Sequence, residues 1–207
     1  MLKITKGDVK PIFFQLKQTK GNYGNLDSSD KEAIKDILLR EQHYRCAYCT
    51  CKILSGNSTI EHYIPQSKDA LLSLEYRNLF AVCTATRELK WKFKTCDDRR
   101  GDRELHIDPR KQTDIDTISY KHDGEIVSSN EIFCQDLNVS LNLNAYRLKN
   151  NRRSEWESIV KCACRRNDSQ LKKQQIQRYL YKLQTPDDDT PYAGFLIYML
   201  QKRLKRA

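Results

Sequence analysis

The chain has 207 residues, with 39% hydrophobic and 31% charged residues, a composition that folds around a core and excludes a disordered polar tract. Thirty-seven Lys and Arg against 27 Asp and Glu give a net charge of +10, which fits equally a polyanionic partner, nucleic acid before acidic membrane or protein, and a basic surface kept for solubility. The longest apolar run, Phe195 to Leu200, is far short of the about 20 residues that span a bilayer, so no membrane helix is expected.

Residues 1–26 form a basic arm (Lys3, Lys6, Lys10, Lys17, Lys20) with a loop predicted at 21–25, read as either a strand or a flexible segment. Ser28 or Ser29 caps a predicted helix over 29–42, with Asp30 and Glu32 at its positive end and Ile34, Ile37 and Leu38 at helical spacing. Residues 46–102 read as short elements. Cys46-Ala-Tyr-Cys49 is a tight turn, and strands at 52–54 and 59–62 are joined by a turn at Ser55-Gly-Asn-Ser58. Residues 76–82 read as a short helix entry with Leu79, Phe80 and Val82 inward. A second hairpin is predicted from 118–120 to 125–127 around Asp123-Gly124. Helices follow at 146–166, 169–184 and 192–206, broken near Asn167 and over Thr185 to Pro191. From Arg147 to Lys182 there are 11 basic and 3 acidic residues, a face for a polyanion or a solvated helix surface.

These elements predict an α+β fold in three segments: an arm and helix at 1–45, a small core at 46–102, and a hairpin with a helical region at 103–207. The opening Met-Leu-Lys-Ile-Thr-Lys lacks an apolar leader, so a cytoplasmic location is expected. In a reducing compartment the eight cysteines read as thiols or metal ligands. Cys46-x2-Cys49 offers two thiolates to one ion, and a structural zinc takes four in a tetrahedron. Cys83 and Cys96 are the best second pair, although twelve residues separate them, and Cys51 competes for a place. Cys134, Cys162 and Cys164 read as packing residues.

Between the two pairs lies Ile60-Glu61-His62-Tyr-Ile-Pro65. A carboxylate beside a histidine meets two needs of phosphodiester hydrolysis. Glu61 can hold a hard cation such as Mg²⁺ or Mn²⁺, and His62 can take a proton from water near neutral pH. In a regular strand the two side chains point to opposite faces, so they converge only where the strand is ending. The 84–95 segment interleaves Arg87, Lys90, Lys92 and Lys94 with Trp91 and Phe93, as phosphate contact and base stacking require. The other reading is a surface loop with both aromatics packed down. The chain has no GxxxxGK[ST] loop and is not itself a P-loop ATPase.

The order Cys-x2-Cys, Glu61-His62, Asn78, Cys83, Cys96-Asp97 resembles the HNH endonucleases, whose metal site is a ββα unit. Cys-Ala-Tyr-Cys, IEHYIPQS, YRNLFAVC and CDDRRGD are similar to the HNH subunit of Septu-type and retron-associated anti-phage systems (PtuB), and the similarity runs to about residue 150. The resemblance implies His62 as general base and Glu61 with Asp97 as ligands of catalytic Mg²⁺ or Mn²⁺. It implies Asn78 as the residue orienting the His-bearing loop, and Cys46, Cys49, Cys83 and Cys96 as ligands of structural Zn²⁺. Glu61 and Asp97 stand where the family more often has Asp and Asn or His, with Asp98 beside Asp97 as a second candidate, and Arg100 where Lys is usual. Arg99 and Arg100 join the basic residues of 84–95 as expected nucleic-acid contacts. The implied partners are DNA before RNA, and an ABC/SMC-like ATPase of the PtuA type. A non-catalytic zinc-binding nucleic-acid module and a structural adaptor are the alternatives.

Overall fold

A computed structural model describes residues 1–164, 172–185 and 188–205, without the side chains of Ala163 and Cys164. It is a mixed α+β fold with two separate two-stranded antiparallel sheets. One hydrophobic core runs through all three of the expected segments, from Phe13 and Leu38 through Phe80 to Leu143 and Phe195.

Within the basic arm, residues 1–10 carry no helix or strand, and the following stretch is a helix, α1 (Pro11–Lys20), not the strand or flexible segment expected. Pro11 sits in its first turn, where the missing N–H costs nothing. Gly21, at φ +78°, ends it by donating its N–H to the Leu16 carbonyl. Phe13 and Leu16, three residues apart, form the buried face that holds it down. Helix α2 (Ser28–Glu41) follows the expected span, but its cap is Asp27, not a serine. Asp27 accepts the Asp30 N–H at 2.9 Å while the Asp30 carboxylate accepts the Asp27 N–H at 3.2 Å. Each carboxylate thus satisfies the other residue's N–H. Ser29 is left to donate to Asp27.

The end of α2 is tied to the small sheet. Gln42 is buried, donates to the Ala81 carbonyl at 2.7 Å and accepts the Ala81 N–H at 2.8 Å. His43 and Tyr44 then take left-handed conformations, and the chain turns into the Cys46–Cys49 knuckle. The predicted partner of the 59–62 strand is corrected by the structure. Lys52 makes one isolated bridge to Arg45, and Ser55–Asn57 is a 3-10 turn. Strand β1 (Ser58–His62) pairs instead with β2 (Leu79–Cys83), in register Ser58 to Cys83 through His62 to Leu79. The helix entry read at 76–82 is thus a 3-10 turn, Tyr76–Asn78, followed by a strand. All five β2 residues are buried, so the run has no polar face whose spacing could separate strand from helix.

Helix α3 (Asp97–Arg100) is one turn directly after Cys96. Helix α4 (Gln112–Ile115) leads into the second hairpin, β3 (Ile118–Tyr120) with β4 (Ile126–Ser128). Gly124 is obligatory in its turn: φ is +85° and a Cβ there would lie 2.4 Å from the Lys149 carbonyl oxygen. Helix α5 (Glu131–Gln135) passes into a π turn, Asp136–Ser140. Helices α6 (Tyr146–Cys164), α7 (Lys173–Leu183) and α8 (Ala193–Leu204) complete the fold, with α8 packed against α6, α7 and β3. The predicted ends at 165–166, 169–171 and 206, and the break at Asn167 and Pro186, lie outside the described residues. Among the described residues no helix is long and apolar enough to cross a membrane.

Candidate metal centre and the adjacent acid-histidine site

Three elements bring four cysteines together. Cys46 and Cys49 come from the knuckle after α2, Cys83 closes β2, and Cys96 immediately precedes α3. The knuckle is set by backbone bonds from Thr50 N–H to the Cys46 carbonyl and from Cys46 N–H to the Cys51 carbonyl. The long interval between Cys83 and Cys96 is closed by Thr86. Its hydroxyl accepts the Thr95 N–H at 3.1 Å and donates to Asp98 at 2.9 Å. The Cys96 N–H donates to the Leu141 carbonyl, which holds this cysteine from the C-terminal half of the chain.

The four thiols are free, buried, and within 4.8 Å of one another. Sγ separations are 3.8 Å for Cys46 to Cys96 and 3.8 Å for Cys49 to Cys83. A tetrahedron with Zn–S bonds of about 2.3 Å has edges of about 3.8 Å. The donor set therefore fits a metal ion such as zinc, by geometry and by the softness of thiolate. Cys51 lies outside the set, half-buried. Among the described residues this is the only group of three or more His, Cys, Asp or Glu side chains arranged for a metal.

The expected packing role fails for Cys162, which is exposed on α6, because its side of the helix faces solvent. Cys134 is half-buried, and its thiol donates to the Ser128 carbonyl at 3.1 Å, fastening α5 to β4. The Cys164 side chain lies outside the described residues.

Glu61 and His62 are the last two residues of β1, both buried, and their side chains meet different neighbours. Glu61 Oε1 accepts from the Tyr48 hydroxyl at 2.8 Å and forms an ion pair with Arg100. Asp97, half-buried at the start of α3, interacts with the Glu61 carboxylate. Burial first, and the Asp97 charge second, push Glu61 up to about 8, while Arg100 pulls it down. Burial likewise raises Asp97. Two acids forced together out of water share a proton or a cation.

The His62 ring lies edge-on to Tyr23, centroids 4.7 Å apart. Its Nε2 is 3.0 Å from the Ser73 carbonyl oxygen. A carbonyl only accepts, so Nε2 carries the proton and Nδ1 keeps its lone pair. Gln66 Nε2 lies 3.4 Å from Nδ1. Burial holds His62 below its usual value, so the ring is neutral at pH 7. The Asp97 field acts on both Glu61 and His62. Asn78 accepts the Ile64 N–H and donates to the Ile64 and Leu72 carbonyls, bracing the segment that follows His62. Asp98 is turned away, to Thr86 and Arg87.

The expected nucleic-acid contacts divide. Arg100 is corrected: its side chain is fully buried, donating to Glu61, the Tyr48 hydroxyl and the His62, Tyr63 and Arg103 carbonyls. It is oriented by these acceptors and does not reach solvent phosphate. Arg87, Lys90 and Lys92 are exposed, and Lys94 and Arg99 half-exposed. Trp91 and Phe93 are 50% and 54% exposed, so the reading in which both pack down is not observed. Tyr48, Tyr23 and Ser73 were missed from sequence, because nothing in their local pattern signals a distant partner.

A scan against protein-family models finds no match, and no curated protein matches the chain.

Proposed function

We propose that the chain is a metal-dependent HNH endonuclease that hydrolyses phosphodiester bonds of nucleic acid. We further infer that it works as the effector subunit of an anti-phage complex with an ABC/SMC-like ATPase of the PtuA type. The observation that carries the enzymatic reading is the His62 Nε2 contact with the Ser73 carbonyl, which leaves Nδ1 without a proton on a ring that lies within the field of Asp97, itself in contact with Glu61. Nδ1 accepts the proton of a water attacking phosphorus. Glu61 and Asp97 would hold a divalent cation. Two hard oxygen donors, with no third acidic, histidine or cysteine ligand among the described residues, suit Mg²⁺ or Mn²⁺, which retain several waters. Such an ion supplies charge neutralisation for the phosphate. Asn78 keeps the His62 segment in place, and the four cysteines with zinc staple β2 and α3 to the knuckle. The partner assignment rests on the motif resemblance and the basic charge.

One observation favours the alternative, a non-catalytic zinc-binding nucleic-acid or adaptor module: Arg100 already occupies a Glu61 oxygen that a cation would need. The deciding experiment incubates wild type and His62→Ala with plasmid DNA and with total RNA. Mg²⁺ or Mn²⁺ is present or omitted, and the ATPase present or absent. Cleavage that needs both the added cation and His62 supports the nuclease, and the substrate that breaks separates DNA from RNA. Nucleic acid bound but never cut, by zinc-loaded protein under all these conditions, moves the assignment to the binding module.

A further inference from the structure

The 84–95 segment has a fixed backbone and solvent-facing aromatics. Its 3-10 turn, Trp91–Phe93, is closed by bonds from Phe93 N–H to the Lys90 carbonyl and from Lys94 N–H to the Trp91 carbonyl. It is anchored from outside as well. Arg99 donates to the Trp91 carbonyl at 3.0 Å, and the Asn142 amide donates to the Lys94 carbonyl at 2.9 Å. Thr86 closes the base. Yet Leu89, Trp91 and Phe93 stay 43–54% exposed, although burial of such side chains is strongly favourable. The Arg99 and Arg103 guanidiniums lie 4.6 and 5.3 Å from the Trp91 ring centroid, and the Lys92 ammonium 5.0 Å from that of Phe93. Four basic residues and one acidic residue occupy 84–95.

We propose that Trp91 and Phe93 form a preformed stacking platform for the bases of a single-stranded nucleic acid, with Lys90, Lys92, Lys94 and Arg99 along its phosphates. This rests on the nuclease reading for its purpose but not for its test. A duplex offers a protruding loop only phosphates and groove edges; base faces are reachable in a single strand. The positive charge selects a polyanion, and the anchored backbone removes the ordering cost of binding. Arg99 links the platform to α3, the turn that also carries Asp97.

The test uses the full zinc-loaded chain without added Mg²⁺ or Mn²⁺. The chain has two tryptophans, so Trp156→Phe leaves Trp91 as the sole indole. A twelve-nucleotide oligo-dT and its oligo-U counterpart should quench Trp91 fluorescence and bind more tightly than a duplex of equal length. The two strands compare DNA with RNA. Trp91→Ala with Phe93→Ala, assayed by anisotropy of a labelled strand, should weaken binding about tenfold or more at unchanged zinc content. Lys90→Ala with Lys92→Ala should flatten the dependence of affinity on salt. Equal binding of duplex and single strand, or unchanged affinity in the double aromatic variant, overturns the platform even if the protein cleaves nucleic acid. Oligonucleotide binding that depends on Trp91 sustains it even if no cleavage is ever seen. Quenching by the ATPase but by no oligonucleotide makes the patch a protein-docking surface and also overturns it.

Discussion

Asn78 and Ile64 are joined by a two-way amide clasp: Asn78 Oδ1 accepts the Ile64 N–H at 2.7 Å, and Nδ2 donates to the Ile64 carbonyl at 3.1 Å. The same Nδ2 reaches the Leu72 carbonyl at 3.1 Å. A side chain at the entry to β2 therefore satisfies the backbone of the segment leaving β1. Asn78→Ala would strand three backbone groups near a buried position. We expect a loss of about 2–4 kcal/mol in denaturant unfolding, with zinc content retained. A loss below about 0.5 kcal/mol would show that water replaces the clasp.

The cysteine assignment predicts a division among variants. Cys46→Ser or Cys96→Ser should lower zinc content and the melting temperature together, because metal binding and folding are coupled when the ligands are the centre of the core. Cys51→Ser and Cys134→Ser should keep a full zinc equivalent. Metal analysis beside thermal melts reads both. Zinc retained in Cys96→Ser but lost in Cys51→Ser would reassign the fourth ligand.

Arg100 and Glu61 form an ion pair with side-chain exposures of 0% and 7%. Removing Arg100 strands the buried acceptors it serves and lets Glu61, already raised to about 8, take up a proton, so Arg100→Ala should cost about 3–5 kcal/mol. Arg100→Lys should not rescue it, since one ammonium cannot serve the carboxylate, the Tyr48 hydroxyl and the His62, Tyr63 and Arg103 carbonyls. Combining Arg100→Ala with Glu61→Gln should cost less than the sum of the single changes. Strict additivity in that double-mutant cycle would mean that the pair does not interact.

Arg45 and Asp188 make the corresponding fastening for the C-terminal helices, 2.5 Å apart with side-chain exposures of 6% and 2%. Asp188 also accepts the Thr190 N–H at 2.9 Å, ordering the approach to α8. Asp188→Ala should destabilise the chain by about 3 kcal/mol. It should also raise hydrogen exchange in α7 and α8 ahead of β1 and β2. Uniform exchange across the chain would contradict a local fastening.

The experiment on His62 belongs with these variants. His62→Ala should remain folded and zinc-loaded, because its ring makes one backbone bond, a long contact with the Gln66 amide and an edge contact with Tyr23 rather than filling the centre of the core. Loss of the fold in that variant would make the histidine structural and remove the proposed base.

Several features were legible in the chain because local chemistry specifies them. Ile34 and Leu38 sit at helical spacing behind a run of capping residues, and α2 forms there. Asp123-Gly124 requires a turn, and β3 and β4 flank it. Cys46-x2-Cys49 needs a second pair, and Cys83 and Cys96 supply it once Thr86 closes the interval between them. What tertiary structure alone decided is direction and partner choice. Leu79–Cys83 is apolar throughout, so only pairing with β1 made it a strand. Arg99 and Arg100 are adjacent and equally basic, but a one-turn helix sends Arg100 into the core and leaves Arg99 against Trp91. Glu61 and His62 share a strand end, yet one is met by Arg100 and the other by Ser73, residues 39 and 11 positions away. Sequence spacing records which face of an element a side chain occupies; which distant groups then meet it depends on how the elements pack.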